Sequence, residues 1–407
     1  MKRLVLLLFF LSVHAQDTIT VMSYNILNYL STDANRFRYK DIREVVQYLK
    51  PHVAMFCEIV DSNAPKLLLD SAFNAAGVGT YTRAVFFNGT DTDNMLFYQP
   101  SKIKLLSQKQ IYTTLRDISR YVMYRLKSNG DTVKIFFHMA HLKAGSTTSD
   151  QNQRNSEINS FCSSLTSVPS TVAVVIGGDF NLKSAAEPAW NTLTSGSLCP
   201  HTFYDPISQP GFWYNNPAYA GIHTQSTRSS AYPGCCGGVT GGLDDRFDFL
   251  LINQAIQSGT NDVTYVPGSY QAVGNDGQHF KLSLMEAPAN TSVPSYVNTA
   301  LFNISDHLPV SFKLVLNVPP VGFDEFSYEN KNEVHVFYKE DAWELLMNEG
   351  IAEVSLTDIT GKCIFKRIMD THSKSKSLTI YRKNFSQGIY LLKVKSSDKE
   401  KYLKLIN

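Results

Sequence analysis

The chain has 407 residues, 43% of them hydrophobic and 12% aromatic. That composition is globular, and the length is too great for one ordinary core, so two or three domains are expected. A formal net charge of only +2 means no strong overall field draws in a polyanion; phosphate binding must come from local groups or a metal.

Residues 1–16 read as a signal peptide, with Lys2 and Arg3, an apolar run from Leu4 to Leu11 and the small-residue exit Val13-His14-Ala15. The run is shorter than the roughly 20 residues that span a bilayer. No later stretch is longer and equally apolar, so no transmembrane segment is expected after cleavage. From 17 to 318 strands and helices follow one another. A strand is predicted at 18–26. A helix follows at 38–50, its apolar face carrying Ile42, Val45, Val46 and Leu49 at i, i+3, i+4 and i+7 before Pro51 ends it. Further strands are predicted at 53–60, 94–99, 121–127, 133–143, 171–181, 246–253 and 308–316, and a second helix at 153–165. Helices are too few to alternate with every strand. The pattern fits two packed sheets with helices outside, an α+β arrangement, better than one doubly wound parallel sheet.

Residues 200–243 read as a long loop rich in Gly, Pro, Asn and aromatic residues, a length that is uncommon unless functional. Phe212, Trp213 and Tyr214 there could stack on bases or simply pack the loop. Six cysteines, Cys57, Cys162, Cys199, Cys235, Cys236 and Cys363, fit no zinc pattern. Cys162 falls on an apolar helix face, which marks it as core. Cys235 and Cys236, in a Gly-rich loop, are the better disulfide candidates, with partners left open. Pro-Pro-Val-Gly at 319–322 reads as a linker, and the last fifth of the chain is about twice as charged as the rest. The expected division is a signal at 1–16, a first domain at 17–318, a linker at 319–325 and a small β-domain at 326–407.

Polar residues gather where the predicted strands end. Asn25 ends the first, and Glu58 interrupts the second. His141 ends another, Asp179 and Asn181 follow Gly177-Gly178, Asp248 interrupts "RFDFLL", and Asp306-His307 precede the last. The paired glycines are read as letting the backbone turn. Taken singly, each polar residue has an ordinary explanation as a turn, a cap or a salt-bridged group. Buried separately, each carboxylate or imidazole would cost several kcal/mol; around a divalent cation they satisfy one another. The oxygen-rich set Asn25, Glu58, Asp179, Asn181 and Asp306 selects Mg²⁺ or Mn²⁺ over zinc. His141 and His307 can move protons near neutral pH. This is the equipment for phosphate-ester hydrolysis.

The motifs "VMSYNI", "VAMFCEI", "HMAHLKAG", "IGGDFN", "RFDFLL" and "SDHLPV", in that order, resemble the endonuclease/exonuclease/phosphatase superfamily, with its deoxyribonuclease-I-like fold. The resemblance implies a four-layer α/β/β/α sandwich with the site at one edge of the sheets. It implies Asn25, Glu58 and Asp306 on the metal side, with Glu58 the principal ligand. Asp179 resembles the residue that orients or deprotonates the attacking water, and Asn181 the one that holds that water or a phosphate oxygen. His307 with Asp248 resembles the essential histidine and its carboxylate partner. His141 resembles the histidine that contacts the phosphate or assists the leaving oxygen, and which histidine is the base stays open. Cys57 stands where the family often has Gln. Asp93 and Asn94 both compete for a further acidic position, and Arg120, Lys143 and Arg246 are either substrate contacts or ordinary surface charges. Residues 323–407, through "AEVSLTDITGKCIFKR" and "FSQGIYLLKVKSSDKEKYLKLIN", resemble the type IX secretion sorting domain of Bacteroidetes, a small β-sandwich. That resemblance implies the type IX machinery as a partner and a cell-surface or secreted location. The expected function is a secreted, metal-dependent phosphodiesterase acting on nucleic acid. The competing readings are a sphingomyelin or inositol-phosphate hydrolase and a non-catalytic binding protein.

Overall fold

The computed structural model describes residues 17–32, 37–89, 91–127, 131–233, 237–317, 334–338, 341–348, 351–369, 375–386, 388–396 and 400–407. The expected signal peptide and linker lie outside these residues, as do Cys235 and Cys236. The chain divides into two compact units, Met1–Val321 and Gly322–Asn407.

In chain order the first unit runs β1 (Asp17–Tyr29), α1 (Tyr39–Leu49), β2 (Val53–Ile59), α2 (Ala64–Leu68), β3 (Thr82–Arg83), β4 (Asp93–Tyr98) and β5 (Lys104–Ile111). It continues with β6 (Ile118–Leu126), β7 (Thr132–His141), α3 (Thr148–Ser164), β8 (Ala173–Asp179), α4 (Pro188–Thr194) and β9 (Phe203–Tyr204). It closes with β10 (Asp248–Asn253), α5 (Gln254–Gln257), β11 (Val263–Tyr265), β12 (Gln271–Ala272), α6 (Ser295–Ile304) and β13 (Val310–Leu316). One sheet has the order β11-β13-β1-β2-β4-β3, with β12 also on β13; the other has the order β5-β6-β7-β8-β10-β9. The central pairs β1–β2 and β7–β8 are parallel and their neighbours antiparallel.

The two sheets face each other. Ile135, Phe137 and Met139 of β7, Val175 of β8 and Leu250 and Ile252 of β10 share one buried core with Val21, Phe56 and Phe312 of the first sheet. On the opposite face of the second sheet, Val174, Ile176, Phe249 and Leu251 pack under Ile158, Phe161 and Cys162 of α3 and Trp190 and Leu193 of α4. α1 and α6 lie against the first sheet and each other, through Ile42, Val45 and Val46 and through Val297, Ala300 and Leu301. The unit is therefore an α/β/β/α sandwich in an α+β fold. α3 begins on a capping box, in which Thr147 Oγ1 accepts from the Asp150 amide and Asp150 accepts from the Thr147 amide.

Cys162 is both core and bridge: it forms a disulfide with Cys199, tying α3 to the segment after α4. The expectation that Cys162 is core holds, and the bridge is an addition to it. Gly177 and Gly178 differ from expectation. Both lie inside β8 rather than in a turn. A Cβ on Gly178 would stand 1.8 Å from Ala140 O, and one on Gly177 would stand 2.5 Å from Leu250 Cδ2. Here glycine serves close strand approach just before Asp179.

The second unit contains a sheet of order β14-β15-β18 and one of order β17-β16-β19-β20. Their strands are β14 (Val334–Tyr338), β15 (Ala342–Asn348), β16 (Ile351–Asp358), β17 (Cys363–Ile368), β18 (Ser375–Tyr381), β19 (Ile389–Ser396) and β20 (Glu400–Ile406). Trp343, Leu345, Val354, Leu356, Ile380, Leu392 and Val394 fill a core between them, making a small all-β sandwich. Among the described residues, no helix is long and apolar enough to cross a membrane.

Candidate active site

Strand alternation delivers the site. Along β7 the residues facing the inter-sheet core are Ile135, Phe137 and Met139, and the next in that series is His141. Along β8 the same series ends in Asp179, and along β10 it begins with Asp248. Ser23 of β1 reaches Met139 of the facing sheet, so Asn25, two residues on, points the same way. Each series is apolar while it runs between the sheets and turns polar at the rim. In register His141 pairs with Asp179 and Asp179 with Asp248, so the three side chains share one face.

Glu58 breaks the alternation. Its neighbour Cys57 pairs with Asn25, so in a regular strand Glu58 would face the outer helices. Instead the register shifts on both sides of the β2 end, and Glu58 takes φ +62°. A left-handed conformation costs a non-glycine residue about 1–2 kcal/mol. The kink turns the carboxylate back to the rim. There Glu58 Oε1 accepts from Asn25 Nδ2 at 2.8 Å and Oε2 from the Asn28 amide at 2.9 Å. Asn25 Nδ2 also donates to Asp179 Oδ2 at 3.0 Å, while Asn25 Oδ1 accepts from the Leu27 amide.

Asp179 divides its two oxygens. Oδ1 accepts from the Asn181 amide at 3.1 Å, closing a turn in which Asn181 has φ +52°. Oδ2 faces Asn25, His141 Nε2 at 3.5 Å and His307 Nε2 at 3.7 Å. Asn181 Nδ2 donates to Leu142 O at 3.2 Å. Glu58, His141 and Asp179 offer ligand atoms within 4.8 Å of one another, a candidate metal site. His307 Nδ1 donates to Asp248 Oδ2 at 2.7 Å. Asp306 stands beside the cluster, its Oδ2 accepting from the Val239 amide at 2.6 Å and from Gln225 Nε2 at 3.3 Å.

The predicted residues Asn25, Glu58, His141, Asp179, Asn181, Asp248, Asp306 and His307 therefore come together. Asn25 is engaged through its NH₂ group with two carboxylates, and Asp306 through three protein donors, Val239, Gln225 and Ser305.

Electrostatics separate the two histidines. Burial, with Arg116 and His307 nearby, holds His141 well below the usual imidazole range. For His307 burial pulls down too, but Asp248, Asp179 and Asp306 outweigh it and raise the ring well above that range. Burial pushes Asp179 up to about 7; His307 opposes the rise, and Asp248 and Glu58 add to it. Burial likewise raises Glu58. His141 Nδ1 and Asp248 Oδ1 are buried without a hydrogen-bond partner.

Several residues that sequence reasoning missed complete the arrangement. The Gln225 amide meets His307 Nε2 at 2.7 Å. Thr224 Oγ1 accepts from the amides of Phe247 and Asp248. Arg38 donates to Ile26 O, Leu27 O and Ile304 O, joining the end of β1 to the end of α6. Arg228 donates to Phe302 O, Asn303 O and Gly237 O, holding the same helix end just before Asp306. Charge near a helix C-terminus suits a cation. Arg116 donates to His141 O and Leu142 O.

The doubtful basic residues resolve differently. Arg120 is buried under α3, donating to His138 Nε2 and Ser164, so it is neither a substrate contact nor an exposed sheet charge. Arg246 is buried and doubly bonded to Asp205. Lys143 pairs with Asp150 near the surface. Asn94 donates to Met139 O and Asp117 O, and Asp93 accepts from the Gly89 amide. Trp213 is core, against Trp190 and Phe249, whereas Phe212 and Tyr214 are exposed.

Comparison with known proteins adds two findings. A family model described as the secretion system C-terminal sorting domain matches residues 331–407. The chain thus carries a type IX sorting domain at its C-terminus and is directed to the cell surface or beyond it. No curated protein matches the sequence. Among solved structures, the chain is similar to D. rerio TDP2 complexed with a single-strand DNA product, at 14% identity and TM-score 0.47, covering 73% of this chain and 98% of that one. It is similar to an endonuclease/exonuclease/phosphatase from Bacteroides vulgatus, at 15% identity and TM-score 0.46, covering 74% and 99%. It is also similar to the human Nocturnin catalytic domain with bound sulfate, at 14% and 0.45, covering 75% and 97%.

Proposed function

We propose that this chain is a secreted, divalent-metal-dependent phosphodiesterase that hydrolyses nucleic acid, exported through the signal peptide read at residues 1–16 and sorted by the C-terminal domain. The observation that carries this reading is the meeting, at one rim, of Glu58, His141 and Asp179 with the Asp248–His307 pair. Buried carboxylates facing one another are unfavourable unless a cation joins them. The carboxylate oxygens gathered there suit Mg²⁺ or Mn²⁺, and the unpartnered polar atoms nearby mark a place for a bound group. Glu58 would be the principal ligand to the ion, with Asp306 and Asn25 beside it. When bound, the ion neutralises charge on the phosphate.

The chain's own residues do the remaining work. Asp179 orients a water and takes its proton as the water oxygen bonds to phosphorus and the ester P–O bond breaks. Asp248 fixes His307 through Nδ1, and the charged ring stabilises negative charge on the substrate oxygens. Asn181 holds the water or a phosphate oxygen, and His141 lies where it can contact the phosphate.

The test is a substrate panel of DNA, RNA, sphingomyelin, an inositol phosphate and bis(p-nitrophenyl) phosphate, each with Mg²⁺ or Mn²⁺ and with chelator. Cleavage of nucleic acid and the aryl diester, abolished by chelator, is expected. Cleavage of the lipid alone overturns the nuclease reading, and cleavage of nothing overturns the enzyme.

A further inference from the structure

Asp245 is a buried carboxylate that neither the fold nor the chemistry above uses. It is 7% exposed, and its Oδ1 has no hydrogen-bond partner. Its backbone exchanges both hydrogen bonds with Gln225, and Gln225 in turn lies opposite His307. Residues directly opposite in such a ladder point to the same face. Asp245, Gln225 and His307 therefore form one row, and the Gln225–His307 contact at 2.7 Å confirms the facing. The row runs from the reacting centre outward, with Asp245 at its far end. A buried structural aspartate in this unit looks different: Asp205 spends both oxygens on Arg246, at 2.8 Å each. An unpartnered buried acceptor costs about 1–3 kcal/mol, and nothing in the fold offsets that cost at Asp245.

The surroundings are those of a binding subsite. Asp244 precedes Asp245, and its carbonyl accepts from the Asn215 amide, which brings Tyr214 alongside. Tyr214 is exposed, and Lys183 Nζ lies 3.8 Å from its ring centroid. Lys183 stands two residues beyond Asn181, and the Trp213 amide donates to its carbonyl. An aromatic face, a cation and an unsatisfied acceptor thus lie on neighbouring segments next to the Asn181 turn.

Resting on the phosphodiesterase reading, we propose that Asp245 is a specificity-determining residue that accepts a hydrogen bond from a hydroxyl or amine on the nucleoside adjoining the scissile phosphate, with Tyr214 and Lys183 lining the same subsite. Bis(p-nitrophenyl) phosphate has no such donor; oligonucleotides do. The experiment measures kcat/KM of the wild type, Asp245→Ala and Asp245→Asn on the aryl diester and on DNA and RNA oligonucleotides of one sequence. For Asp245→Ala the loss on at least one oligonucleotide should exceed the loss on the aryl diester by about 10- to 100-fold, the scale of one charge-assisted hydrogen bond. The excess should appear mainly in KM, with Asp245→Asn, which keeps a carbonyl acceptor, in between. Excess loss on RNA alone places the donor on the 2′-hydroxyl; equal excess on both places it on the base. Equal losses on all substrates, or none on any, overturn the proposal. Wild-type protein that cleaves none of them overturns the phosphodiesterase reading itself.

Discussion

Under α3 and α4, Arg154 is fully buried, yet all its nitrogens are engaged. Nε and Nη2 donate to Glu187 at 3.0 and 2.6 Å, and Nη1 donates to the carbonyls of Lys143 and Gly145. At the rim between the sheets, a few strands away, Asp179 and Glu58 crowd two histidines, and polar atoms of His141, Asp245 and Asp248 go without partners. Both regions bury charge in the same fold. The outer layer closes its hydrogen-bond account within the protein; the rim leaves it open. Open valences under burial are costly, and where they coincide with crowded carboxylates and imidazoles they mark residues that serve a ligand.

The sharpest break of that comparison comes at the rim. Asp248→Asn or His307→Ala should lower kcat/KM on bis(p-nitrophenyl) phosphate by about 10³- to 10⁴-fold, on the order of 4–5 kcal/mol in the transition state. The urea midpoint should fall as well, because either change unpairs a buried charge, so the rate is read per folded molecule. A large loss of stability with little loss of activity would make the rim a structural site. In the outer layer stability alone should suffer. Glu187→Ala leaves Arg154 buried and unpaired, which costs about 3–5 kcal/mol of stability. Activity per folded molecule should survive, read by pairing urea melts with active-fraction titration.

The two regions were unequally legible in sequence, and for the same reason. His141, Asp179 and Asp248 could be read because strand alternation carries a polar residue to the end of an apolar series, and a period of two survives in the sequence. Glu58 was visible only as an intruder. Its facing depends on a bulge with φ +62° that no residue pattern announces. Gln225 and Asp245 were lost inside the stretch read as a long loop or beside a strand start. They act through isolated bridges between irregular segments, which leave no periodicity. The helix α4 was missed because it is short, and α6 because its one-sided apolar face sits among residues of loop-like composition. Arg154 and Glu187 drew no notice in the sequence; only their pairing across 33 positions explains their burial. The Cys162–Cys199 disulfide was not foreseen because these residues carry no local sign of the proximity that α3 and α4 create.

That disulfide gives the next test. The bridge closes 37 residues, so its removal should cost about 3–4 kcal/mol through loop-closure entropy of the unfolded chain. Cys162→Ser with Cys199→Ser should lower the urea midpoint accordingly. The rim lies on the other side of the second sheet, so kcat/KM of the folded fraction should stay within about twofold. A loss of rate matching the loss of stability would mean that the outer layer also positions the site.

The smallest effect isolates a histidine of the closed kind. His279 is buried, with Nδ1 on Asp276 Oδ1 at 2.8 Å and Nε2 on Glu286 O at 3.1 Å, so both nitrogens act as donors to fixed acceptors. Burial works against the charged ring, but the bond to Asp276 and the carbonyl of Glu286 outweigh it and raise the ring above its ordinary value. A raised folded-state value means that the folded chain holds a proton the unfolded chain would release. The contribution is therefore complete below the ordinary imidazole value of about 6.5 and is lost as pH rises through the raised value. Urea midpoints of the wild type and His279→Gln should differ most near pH 6 and draw together as pH rises through the raised value. Since His279 is no part of the rim, the aryl-diester rate of the folded variant should keep the wild-type pH profile. A midpoint difference that grows with pH would reverse the sign and show that the ring is held neutral, open like His141 rather than closed like Arg154.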